Sequence, residues 1–191
     1  MKIACLSLLI FTYIFMDRAN AQIGYIITQK NDTLKGEFVL SGFGKPKFKP
    51  ANKADFRTID LDTIKEYQLS DSSVFVLRPV PRSTANLIAK PQVLQRLEHG
   101  RINLYMYQAP AGDHIITWYA SKGADSLITL KTSDIFLVGG GSKKSRKAAL
   151  ANMFADQPDV QAAFIATAKF DFDTIRTYIR RYNKKASAWS K

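Results

Sequence analysis

The sequence predicts an α+β fold: an antiparallel β-rich body, barrel- or sandwich-like, followed by about three short C-terminal helices. Short runs of β-branched and aromatic residues alternate with turn residues from Ile23 to Leu130, with no helical period between them. After Gly139-Gly140-Gly141 the apolar spacing changes to that of helices. With 46% hydrophobic and 23% charged residues, the composition is that of a folded domain and excludes a collagen-like or disordered chain.

Ile23–Thr28 and Leu34–Leu40 are strand-like runs around Asn31-Asp32, the pattern of a β-hairpin. Gly42–Pro50 holds two prolines and three lysines and reads as a loop or an irregular edge strand, because proline cannot donate to a central ladder. Phe56–Ile59, Ile64–Leu69 and Val74–Leu77 follow as strands, the last ended by Pro79 and Pro81. Val93–Leu97, Ile102–Tyr107, Ile115–Tyr119 and Leu127–Leu130 complete the β-rich region, with Pro110–Asp113 as a turn. The body therefore covers 22–141 with roughly eight strands, and a helical region of the same domain covers 142–184.

The first helix is expected around Ala149, Leu150, Met153 and Phe154. Asp156, followed by Pro158, reads as the cap of a second helix with Val160, Ala163, Phe164 and Thr167 on one face. The third has the clearest stripe: Ile175, Tyr178, Ile179 and Tyr182 fall at i, i+3, i+4 and i+7, with Asp171 or Asp173 as its cap. Residues 185–191 read as a frayed tail.

The N-terminus carries Lys2, an apolar run from Ile3 to Met16, and Ala19-Asn20-Ala21 in the small-x-small form that signal peptidase cuts. The run ends at Asp17 and Arg18, short of the about 20 residues a membrane-spanning helix needs. Residues 1–21 therefore read as a cleaved signal peptide, which predicts an extracytoplasmic protein: periplasmic, associated with the outer membrane, or secreted. Cleavage removes Lys2, Arg18 and Asp17 and lowers the formal charge of +12 by one. It also removes Cys5, the single cysteine, so disulfides and thiolate chemistry are excluded from the mature chain.

Three segments carry a resemblance. They are Asn31-Asp32-Thr33-Leu34-Lys35-Gly36, then Leu97-Glu98-His99-Gly100-Arg101-Ile102-Asn103-Leu104-Tyr105, and the terminal helix ending Ile179-Arg180-Arg181-Tyr182-Asn183. In this order they resemble a group of uncharacterised small secreted proteins of Bacteroidota-type bacteria. The resemblance implies an extracytoplasmic location and a β-rich body with a helical end, and it implies no catalytic residues.

The residues argue against an enzyme. The two histidines, His99 and His114, lack the HExxH or CxxC spacing of a metal site, and zinc needs three or four ligands. No cofactor is expected. Asp60 and Asp62 bracket a turn, and Asp171 and Asp173 sit where a helix start needs acceptors; neither pair reads as a catalytic dyad. No Gly-x-Ser-x-Gly elbow is present. A hydrolase of an envelope polymer, using Asp60, Asp62 or His114, is the alternative.

Phe136–Ser145 resembles a phosphate loop, but Lys143 stands where that motif has its second glycine. Backbone amides at the helix start with Lys143, Lys144, Arg146 and Lys147 are the candidate anion site; a solvated connector is the competing reading. Further cations cluster at Lys45, Lys47, Lys49 and Lys53 and along the last helix. The expected role is an exported, non-enzymatic binding or interaction module with a basic surface. Its expected partners are anionic envelope components or another secreted protein. No RNP-like or helix-turn-helix motif points to specific nucleic acid.

Overall fold

The structure is a computed structural model and describes residues 21–39, 46–81, 91–108, 115–133 and 141–188. The expected signal peptide but for Ala21, the Gly42–Lys45 part of the proline-rich segment, the expected Pro110–Asp113 turn, His114, Gly139, Gly140 and the last three residues lie outside them.

Ten antiparallel strands form one sheet: β1 (Gln22–Thr28), β2 (Thr33–Val39), β3 (Lys47–Pro50), β4 (Arg57–Thr58), β5 (Ile64–Gln68), β6 (Val74–Pro79), β7 (Pro91–Glu98), β8 (Ile102–Gln108), β9 (Ile116–Lys122) and β10 (Ile128–Thr132). The spatial order is β10-β9-β8-β7-β6-β5-β1-β2-β3-β4. The sheet does not close into a barrel, so the arrangement is the sandwich-like one of the two expected. Three helices follow: α1 (Lys143–Met153), α2 (Pro158–Ala166) and α3 (Phe172–Ala188).

Turn chemistry explains the hairpins. Asn31 takes a left-handed φ of 68° between β1 and β2, and Ser72 one of 66° between β5 and β6. Asn is tolerant of this region, and Asp71 Oδ1 secures the second turn by accepting the Ser73 N–H. Of the proline-rich segment, Lys47–Pro50 takes the strand reading rather than the loop. β3 pairs with both β2 and β4, with Pro50 at its last position, where a missing donor matters least. The strand expected at Phe56–Ile59 shrinks to Arg57–Thr58.

The core has two main parts on one face. Phe38, Phe48, Tyr67 and Phe75 form a ring cluster across β2, β3, β5 and β6, with Phe38–Phe48 centroids 4.8 Å apart and tilted and Tyr67–Phe75 stacked 4.9 Å apart. Glycines make room for them: a Cβ on Gly24 would lie 2.9 Å from the Phe38 ring, and one on Gly36 2.7 Å from the Phe48 ring. At the other end the helices pack over β8, β9 and β10, burying Ile102, Leu104, Trp118 and Leu130 against Leu150, Phe154, Phe164, Ile175, Ile179 and Tyr182. Each such large apolar side chain contributes about 1.5–3 kcal/mol of burial. A smaller cluster of Val76, Leu94, Tyr105 and Tyr119 lies on the opposite face.

Helix ends correct two expectations. Asp171 Oδ1 accepts the Thr174 N–H and caps α3, leaving Asp173 in the first turn. Asp156 does not cap α2; the N-cap is Gln157, whose side chain makes no capping bond. α3 also continues to Ala188, so residues 185–188 are helical rather than frayed. Lys185 holds that last turn through an ion pair with Asp159.

Candidate functional site

The expected anion site begins at Ser142, whose side chain accepts the Ser145 N–H and caps α1 itself. Its four cations then part company. Arg146 Nε donates to the Leu130 carbonyl at 2.9 Å, tying α1 to the edge strand β10, and Nη1 donates to the Gly141 carbonyl. Lys147 Nζ donates to the carbonyls of Ile165 and Thr167, where the C-terminal end of α2 leaves acceptors without helical partners. Only Lys143 and Lys144 remain exposed without a hydrogen bond to another described residue. Local sequence cannot reveal this split, because the carbonyls come from residues up to 20 positions away.

Asp60 caps a short 3₁₀ turn, Leu61–Thr63, by accepting the Asp62 N–H, and both carboxylates lie on the surface. His99 is exposed, with Nδ1 2.9 Å from Asn103 Oδ1. No hydrogen bond or ion pair joins His99 to Asp60 or Asp62, which share the one turn. His114 lies outside the described residues. Among the described residues no group of three or more His, Cys, Asp or Glu is placed to hold a metal, and no helix is long and apolar enough to cross a membrane.

The structure instead gathers the mid-chain and terminal motifs. Glu98, at the end of β7, accepts from Arg176 and from Arg180 Nε of α3, the latter at 2.7 Å. Asn183 grips the backbone of Ile102: its Oδ1 accepts the Ile102 N–H at 2.9 Å and its Nδ2 donates to the Ile102 carbonyl at 2.7 Å. Gly100 gives the amide its room, since a Cβ there would lie 2.5 Å from Asn183 Cγ.

Next to this grip sits Asp156, which the sequence places as a cap and the fold employs otherwise. Its carboxylate accepts from the Tyr182 hydroxyl at 2.8 Å and from Lys122 Nζ at 2.7 Å, and it forms an ion pair with Arg101 Nη1 at 2.9 Å. Partial burial would raise its pKa, but the hydrogen bonds from Lys122 and Tyr182 outweigh that and hold it below the ordinary carboxylate value. Burial pushes the Tyr182 phenol up, which keeps it a neutral donor.

Between the β7–β8 turn (His99, Gly100, Arg101) and the last turns of α3 (Asn183, Lys184, Ser187) lies an open cleft of about 490 Å³ with no carboxylate among its described lining residues. A second groove, about 380 Å³, runs beside Lys144, Ala148, Asn152 and the 57%-exposed Ile165.

Ion pairs take up only part of the positive charge. Glu98, Asp156 and Asp159 each take two cations: Arg176 and Arg180, Lys122 and Arg101, and Arg181 and Lys185. Glu66 pairs with Arg96, and Glu37 with Lys49. Lys35, Lys47, Lys53, Arg57, Lys143, Lys144 and Lys184 are exposed and form no ion pair with a described carboxylate. No family model, no curated protein and no solved structure matches this chain.

Proposed function

We propose that the chain is an exported, non-enzymatic binding module that associates with anionic components of the cell envelope. The observation that carries this reading is the set of cations outside any ion pair: Lys35, Lys47, Lys53, Arg57, Lys143, Lys144 and Lys184 are exposed and pair with no described carboxylate. Export rests on the signal-peptide pattern ending at Ala21. Outside the cytosol such a surface meets lipopolysaccharide phosphates, acidic glycans and anionic headgroups, and long-range attraction raises the encounter rate with all of them.

The test measures retention of the exported protein on lipopolysaccharide aggregates and on dextran sulfate as salt is raised. Retention is expected at low ionic strength and is lost past ~0.2 M salt, where charges are screened beyond about 8 Å. Absence of retention on every polyanion at low salt refutes the reading, and so does retention that salt does not change.

A further inference from the structure

We infer that the corner of the sheet formed by β1, β2, β3 and the chain leading into β4 docks onto an anionic lipid surface. The inference rests on the anion-binding reading above and names its partner. Strand register puts the relevant side chains on one face. Ile23 stands opposite Glu37 and Glu37 opposite Lys49, one row across β1, β2 and β3. Lys35 and Lys47 lie two residues along their strands from that row and therefore on the same face. Phe56 joins them, because Lys49 Nζ lies 5.2 Å from the centre of its ring.

The helices do not cover this face. The row Lys35, Tyr25, Gln68, Val74, Arg96, Tyr105 runs from β2 to β8 through paired positions. Tyr105 points away from the side of Leu104 and Ile102, on which α3 packs. Ile23 is 72% exposed and Phe56 37%, two of the four exposed large apolar side chains among the described residues.

That mixture selects a lipid boundary over a soluble polymer. A dissolved polyanion needs cations alone and gains nothing from an uncovered isoleucine. At a headgroup boundary, an apolar side chain leaves water while neighbouring ammonium groups meet phosphates. The lysine stems cover apolar surface while their ends stay with the headgroups. Cleavage after Ala21 adds a new α-amino group at Gln22, the residue before Ile23, and so another positive charge at this corner.

The experiment compares the exported protein with an Ile23→Ser/Phe56→Ser double variant on vesicles of phosphatidylcholine alone, on vesicles that also contain phosphatidylglycerol, and on dextran sulfate. The wild type is expected to sediment with the phosphatidylglycerol vesicles and not with the neutral ones. The double variant is expected to partition about tenfold more weakly, the effect of losing roughly half the burial of one large apolar side chain. Its retention on dextran sulfate should stay unchanged, and a cooperative thermal unfolding transition like that of the wild type reports that it is folded. In a Phe56→Trp variant the added indole emission should shift to the blue on the phosphatidylglycerol vesicles. A double variant that partitions like wild type, or an indole emission that stays put in the Phe56→Trp variant, overturns the lipid assignment and leaves the anion-binding reading standing. Retention on neither vesicles nor dextran sulfate overturns both.

Discussion

The side-chain amide of Asn183 takes the place of a missing strand residue beside Ile102. The β7–β8 ladder ends at the Glu98–Leu104 pair, so the N–H and C=O of Ile102 have no β7 partner. Asn183, one turn from the buried Ile179 on α3, supplies both an acceptor and a donor there. Asn183→Ala should therefore cost about 3 kcal/mol, because two polar backbone groups beside the fully buried Ile102 lose their partners. Urea unfolding measures it. A loss below about 0.5 kcal/mol, the range of ordinary surface substitutions, means that water replaces the amide.

Gly100→Ala should destabilise by about 2 kcal/mol, since the new methyl group meets an amide that two hydrogen bonds keep from moving. The sharper expectation is the coupling. In an Asn183→Ala background the obstacle is gone, so the same substitution should cost much less. Strict additivity in the double-mutant cycle would show that Gly100 is needed for another reason.

The pattern of what sequence reveals follows from the range of the interactions. The Ile175, Ile179, Tyr182 stripe is legible because one helix face writes its own period, and Asp171 as a cap is legible because its acceptor role is three residues long. Asp156 has the same local chemistry, an acid ahead of Pro158, yet Tyr182 and Lys122 claim its carboxylate from 26 and 34 positions away. Arg146 and Lys147 read as solvated charge until the fold brings unpaired carbonyls to them. β3 is obscured by its prolines, since propensity cannot show that the strand needs few donors at its end. The lipid-facing corner depends on register between strands, which a single run of residues does not encode.

The acid limb of stability should carry a signature of Asp156. Burial works against its ionisation, yet the hydrogen bonds from Lys122 and Tyr182 prevail and hold the folded pKa below the ordinary 3.8. A depressed folded value adds stability that is complete above the unfolded pKa and disappears as pH falls through the folded one. Urea midpoints followed from about pH 6 to about pH 3 should thus fall less steeply for Asp156→Asn than for wild type at the acid end, from a lower starting point. Parallel acid limbs would mean that the carboxylate gains nothing from Lys122 and Tyr182.

The four cations at the start of α1 should prove unequal. Lys147→Met keeps the apolar stem over the Phe164 ring, where Nζ sits 5.7 Å from the centroid, but frees the carbonyls of Ile165 and Thr167. It should destabilise by about 1.5 kcal/mol, the lower end of the net worth of a hydrogen bond to a charged group, because the site is partly exposed. Lys143→Met and Lys144→Met, which release no carbonyl, should change stability by less than about 0.5 kcal/mol. Thermal unfolding of the three variants separates the roles: Lys147 holds the α1–α2 corner together, whereas Lys143 and Lys144 are left to the solvent. Equal effects at all three positions would return Lys147 to the pool of surface charge and restore the four-cation anion site as one unit.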